Sequence, residues 1–221
     1  MGQRQLVPNF VDSLQHAPLA RAELFIVEGE SAAQAVCAVR DPRLQAVLPL
    51  QGKPVNAMRA SRGRVRASPW LSALTGVLGT APGTALPLGD LRYERIILLL
   101  DPDADGIHAG ALVQIFFLEC MRSLLQQGLV EIVHAPWGEV RMPDRESRIA
   151  YHEAAFQQLC RDLRADGGKS GDRIRHRGLA TITPAILERT CVNRATRRSR
   201  VLTVADAEKA AEVFGRSRLP G

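Results

Sequence analysis

Short aliphatic runs recur along the first part of the chain, each closed by a charge or a turn-forming residue: Leu24–Val27, Leu44–Leu48, Ile96–Leu100 and Leu129–His134. Runs this short, with no polar alternation, suit strands buried on both faces. Between them the period changes. Ser31 is placed to cap a helix over Ala32–Val39, which Asp41-Pro42 stops. Leu112, Ile115, Phe116, Leu118, Met121, Leu124 and Leu125 give a helical stripe within Ala109–Gln127, ended by Gly128. A further helix is expected around Pro69–Leu78, inside a stretch (57–88) that is first basic and then rich in Gly, Pro and Thr. Pro49 is expected to break the second strand. The order strand, helix, strand, strand, helix, strand predicts an α/β fold, a largely parallel sheet flanked by helices. Ligands of such sheets bind at the carboxyl ends of the strands.

Past Pro136 the pattern becomes charged. A helix is expected over Glu153–Leu163, a flexible break at 166–171, and a helix around Pro184–Thr190 with proline in its first turn. A strand over Val201–Val204 and a last amphipathic helix over Ala207–Phe214, started by Asp206, complete the chain. The expected organisation is a linker-like N-terminus (1–21), a sheet domain (22–140) and a small α+β C-terminal extension (141–221).

The chemistry concentrates where the third strand ends. Asp101, Asp103 and Asp105 are spaced two apart, and on an extended backbone they would point to one side. Carboxylates this close repel and lose hydration unless a cation compensates, which favours a metal site. The plainer alternative is a solvated strand end that caps the next helix. Glu28 ends the first strand and faces the same crevice. An EF-hand calcium loop is excluded because its twelfth position, which needs a bidentate Glu, is Leu112. Gly52-Lys53 and Gly168-Lys169-Ser170 lack the upstream glycine of a phosphate-binding loop, so no ATP site is read here.

Composition narrows the partner. A net charge of +6 and a pI near 9.7 favour a polyanion. Two basic clusters, Arg59–Arg66 and Arg173–Arg200, flank the acidic site as a phosphodiester-binding surface would. Aromatic content of 5% argues against base-stacking platforms. Four dispersed cysteines offer neither a zinc knuckle nor a disulfide framework. With no signal region and no membrane-length apolar run, a cytoplasmic, soluble protein is expected.

With these residues in place, the chain resembles the Toprim domain and C-terminal tail of type IIA DNA topoisomerases, specifically the gyrase B subunit. The matching motifs are Leu24 through Ala32, Gln45 through Lys53, Leu91 through His108, Arg175-His176-Arg177-Gly178-Leu179, and Thr196 through Ala207, in collinear order. The resemblance implies that Glu28, Asp101 and Asp103 are catalytic and hold Mg²⁺ (or Mn²⁺), with Asp105 supporting them. It implies that Lys53 and Asn56 contact double-stranded DNA, with Arg175, Arg177, Arg197 and Arg198 as further DNA-binding residues. It also implies an A-type partner subunit carrying the nucleophilic tyrosine, a separate ATPase subunit as a further partner, and a nucleoid-associated location. Departures surround the carboxylates: Glu30 replaces an Asp, Ala33-Gln34 a Gly-Gly pair, Gln51 an Arg, Ala180 a Gly and Thr181 an acid, and Pro54 follows Lys53. Two alternatives stay open, a non-catalytic DNA- or topoisomerase-binding paralogue and a metal-dependent nuclease.

Overall fold

The structure is a computed structural model, and it describes residues 7–17, 20–79, 91–142, 145–165 and 171–215. Most of the break expected at 166–171, with Gly168-Lys169-Ser170, lies outside the described residues, as do 80–88 and parts of the N-terminal linker. In chain order the elements are β1 (Glu23–Glu28), α1 (Gly29–Cys37), β2 (Gln45–Leu50), α2 (Arg62–Arg66), α3 (Pro69–Leu78), β3 (Arg95–Leu100), α4 (Ala104–Cys120), α5 (Arg122–Gln126) and β4 (Val130–His134). There follow β5 (Gly138–Met142), β6 (Arg145–Ala150), α6 (Glu153–Ala165), β7 (Asp172–Arg175), α7 (Pro184–Leu187), β8 (Ser199–Val201) and α8 (Val204–Ala210).

The main sheet has the order β2-β1-β3-β4-β8, parallel except for β8. Period-two alternation divides its side chains between two cores. Leu24, Ile26, Leu48, Ile96, Leu98 and Val130 pack with α3, α4 and α8 on one face. Phe25, Val27, Val47, Ile97, Leu99 and Val133 pack with α1 and α7 on the other. Burial on both faces is why these strands read as unbroken aliphatic runs.

Several local expectations are corrected. Ser31 does not cap α1: the helix begins at Gly29, its N-cap is Glu28, and no side chain caps it. Gly29 has φ +75°, so strand passes to helix without a loop and Glu28 stands at the junction. Pro49 does not break β2, which runs on to Leu50 as an outer strand of the sheet, where a missing N–H is tolerated. The long helix breaks at Met121 (φ −143°, ψ 41°) into α4 and α5. Asp206 does not start the last helix; Thr203 caps α8, and Asp206 completes a reciprocal capping box.

The C-terminal region is not a separate appendage. The boundary expected at 140/141 falls inside β5, which joins β6 and β7 in a three-stranded antiparallel sheet of order β6-β5-β7. That sheet has no apolar signature in the sequence because Arg, Glu and Asp fill its strands. Farther on, β8 extends the main sheet and Leu179, Ile186, Cys191 and Val192 enter its core. Residues 7–17 are likewise tied down, with Val11 bridging Val47 and Phe10 packed on the core.

Candidate functional site

The parallel register runs from Glu23↔Arg95 to Ile26↔Leu98, so the carboxyl ends of β1 and β3 emerge side by side. Glu28 ends one and Asp101 follows the other. Strand alternation does not govern the rest of the acidic segment, contrary to expectation. Asp103 is the N-cap of α4, accepting a 2.8 Å hydrogen bond from the Gly106 N–H, and Asp105 lies in the first helical turn. A Cβ at Gly106 would overlap the Asp101 carbonyl oxygen, so only glycine lets the helix start this close to the strand end. Acidic residues at a helix N-terminus also gain from its dipole.

The charges of the three aspartates reach Glu28. Burial, and then the charges of Asp101, Asp103 and Asp105, push the Glu28 carboxyl above its ordinary range, against a smaller opposing effect of Lys53. Burial raises Asp101 too; a hydrogen bond from the backbone N–H of Leu179 lowers it, and Asp103 raises it further. Glu28 Oε2 is buried without a hydrogen-bond partner. Lys53 Nζ stands 3.3 Å from Asp105 Oδ1, a pair open to solvent on both sides. Among the described residues, no group of three His, Cys, Asp or Glu is drawn together tightly enough to form a ready cage for an ion. Mg²⁺ does not need one, because it binds through one or two carboxylates and fills its shell with water and substrate phosphate. The orphaned oxygen of Glu28 and its acidic neighbours fit that mode.

Asp101 and Asp103 line a cleft of about 500 Å³ whose far wall comes from beyond Pro136: Trp137, Tyr151, His152, Arg175 and Arg200. The Arg175 guanidinium lies 4.6 Å from the Trp137 ring centroid. Arg177 and Arg198 are exposed. Tyr151 is kept a neutral phenol by burial and by nearby Cys191, although Arg198 opposes the shift. On the other side, Lys53, Asn56, Arg59, Arg64 and His108 line a hollow of about 660 Å³. Asn56 Nδ2 donates to the Phe214 carbonyl at 3.2 Å, and His108 stacks on Phe214. The site thus has basic ground on both flanks.

Arg197 is not part of it. Its side chain is 3% exposed and donates to both oxygens of Glu23, at 2.6 and 2.8 Å, at the amino end of the sheet. The expectation that Arg197 binds DNA is corrected: a guanidinium enclosed by a carboxylate and the Phe25 ring is already committed. Sequence reasoning also missed Leu179, Trp137, Tyr151 and Arg200 as neighbours of the acidic cluster. Only the placement of the tail sequence Arg175–Leu179 beside the motif residues hinted at one of them.

The Toprim domain model matches residues 23–134, the span that holds β1 to β4 and all four carboxylates. The chain belongs to the Toprim family. Its sheet is the α/β arrangement expected of that family, with parallel strands flanked by helices. It is 34% identical over 192 residues to the DNA gyrase B subunit of Archaeoglobus fulgidus, covering 87% of this chain and 29% of that protein. It is 34% identical over 193 residues to the DNA gyrase B subunit of Halalkalibacterium halodurans, covering 87% and 30%. The DNA topoisomerase 4 B subunit of Pseudomonas aeruginosa is 33% identical over 195 residues, covering 88% and 31%. The resemblance to type IIA topoisomerase B subunits therefore extends past the Toprim domain into the C-terminal region. The chain spans about 30% of the length of these relatives. Among the described residues, no helix is long and apolar enough to cross a membrane.

Proposed function

We propose that this Toprim chain supplies the acidic, magnesium-binding half of a DNA cleavage and religation site to an A-type subunit that carries the nucleophilic tyrosine. The observation that carries this reading is the convergence of Glu28 and Asp101 at the carboxyl ends of β1 and β3, both with carboxyls raised by burial and shared charge. Glu28, Asp101 and Asp103 would hold Mg²⁺, or Mn²⁺ in its place, and Asp105 would support them. The ion, when bound, stabilises negative charge on the 3′ oxygen that leaves the scissile phosphate. Glu28 would also exchange a proton with that oxygen as a general acid or base. Lys53, Asn56, Arg175, Arg177 and Arg198 hold the phosphate backbone of duplex DNA across the site. The similarity to gyrase and topoisomerase 4 B subunits supports this assignment, as does the basic ground beside the carboxylates. An ATPase supplied by a separate subunit and a cytoplasmic, nucleoid-associated setting complete the proposal.

The test combines the chain with a gyrase A subunit, supercoiled plasmid and Mg²⁺. Relaxation or a trapped covalent cleavage complex is expected, and Asp101→Ala should abolish it. No product, or product indifferent to Asp101→Ala, would sink the reading. A second reading, a non-catalytic DNA- or topoisomerase-binding paralogue, draws support from the departures around the carboxylates, Ala33-Gln34, Gln51 and Pro54 among them. Mg²⁺ titration separates the two, because carboxylate-dependent binding counts against the paralogue.

A further inference from the structure

One group that touches the acidic cluster comes from the C-terminal region. The backbone N–H of Leu179 donates to Asp101 Oδ1 at 2.9 Å, across a separation of 78 residues in the chain. The donor is firmly placed. The Leu179 side chain is fully buried in the core shared with α1. The turn beyond it is closed on the Gly178 carbonyl, which accepts from Thr181 N at 3.0 Å and Thr181 Oγ1 at 2.7 Å. Before it, the His176 N–H donates to the Trp137 carbonyl at 2.9 Å, with the His176 ring buried. Gly178 closes on the same carboxylate, since a Cβ there would stand 2.9 Å from Asp101 Oδ2. The Gly178 backbone is extended (φ −162°, ψ 165°), a conformation any residue adopts, so it is the Asp101 carboxylate that leaves no room for a side chain.

A carboxylate just past a strand end is free to turn about two bonds, and fixing it carries an entropic cost. One oxygen tied to a rigid N–H leaves the other with a defined direction, as hydrogen bonds from outside a metal site commonly do for its ligands. We propose that the Gly178-Leu179 turn is a positioning element that orients Asp101, so that the C-terminal region completes the acidic site. The proposal rests on the reading of Asp101 as a metal ligand given above.

The experiment uses the full chain and Mn²⁺ alone, measured by titration calorimetry, with thermal unfolding in EDTA as the structural control. Gly178→Ala should weaken Mn²⁺ binding about tenfold, the scale at which such outer partners act, and leave the metal-free midpoint unchanged. Replacing Leu179 by its α-hydroxy analogue turns the N–H into an ester oxygen without added bulk and should weaken binding likewise. Leu179→Met retains both the N–H and an apolar side chain and should bind as the parent does. Asp101→Asn calibrates the assay by losing most of the affinity. Parental Mn²⁺ affinity in the folded ester variant, with Asp101→Asn impaired, overturns the positioning role and leaves the site reading intact. Parental affinity in Asp101→Asn overturns both. If Gly178→Ala fails to fold, the ester variant decides.

Discussion

Strand β1 begins with Glu23 and ends with Glu28, one carboxylate at each end of the sheet. At the amino end, Glu23 receives two hydrogen bonds from Arg197 and one from Gln45 at 2.9 Å, with Arg194 3.7 Å away. Nearby acids are matched as well: Glu131 pairs with Arg95 at 3.1 Å, and Asp12 accepts from Tyr93, His16 and Arg92. At the carboxyl end, Glu28 faces three aspartates, and one of its oxygens has no partner. Burial without compensation is costly, so the first arrangement holds the fold together and the second leaves carboxylate charge without a matching partner.

The largest effect should come from breaking the matched end. Arg197→Ala leaves Glu23 buried without its main counter-charge and should cost about 3–5 kcal/mol in urea unfolding at pH 7. A loss below about 1 kcal/mol would place that pair among ordinary surface ion pairs and erase the contrast.

Asp12 gives the next effect. Burial alone would raise its carboxyl, but hydrogen bonds from Tyr93, His16 and Arg92 outweigh it and hold the group at about 2, below its ordinary 3.8. The folded protein therefore keeps this group ionised where the unfolded chain has taken up a proton. Its contribution is present above about pH 3.8 and disappears as the pH falls toward 2. Asp12→Asn should lower stability at pH 7 by roughly 1–2 kcal/mol after allowance for solvent screening. Unfolding curves of the two proteins should converge on acidification, and a constant gap down to pH 2 would contradict the assignment.

The smallest effect has the opposite sign. Glu28 is raised above its ordinary 4.5, so the folded state retains a proton that the unfolded chain releases, and stability falls as the pH rises through the window just above 4.5. In EDTA, Glu28→Gln should remove that fall and lift the midpoint at pH 7 by up to about 2–4 °C, which corresponds to roughly 1 kcal/mol in a chain of this size. A midpoint lowered by the substitution would mean that Glu28 is structural after all. Added Mn²⁺ should stabilise the parent and leave Glu28→Gln nearly unmoved, the signature of a ligand that binds the folded state alone.

Much of this was legible from residue order. The aliphatic runs located β1, β3 and β4 to within a residue or two, because burial on both faces leaves little room for polar residues. Helix α3 was found between its stated ends, with proline at its first turn and Gly79 just past its last residue. The acidic motif stood out through charge density alone, and the structure sets its first member, Asp101, beside Glu28 at the carboxyl end of the sheet. Other features were hidden. The strands of the second sheet carry charges on short segments, so β5 and β6 gave no apolar run. Arg197 and Arg198 look equivalent in the chain, yet one is enclosed by Glu23 and Phe25 while the other is exposed.

The sequence by itself determined the α/β class, the strands at the centre of the sheet and the four carboxylates, because hydrophobic period and charge spacing are local properties of the chain. Tertiary structure alone decided which of two glutamates on one strand is neutralised. It also decided which arginine is buried, and that Leu179 holds Asp101. Those outcomes depend on contacts between residues 78 to 174 positions apart, and no local pattern records them.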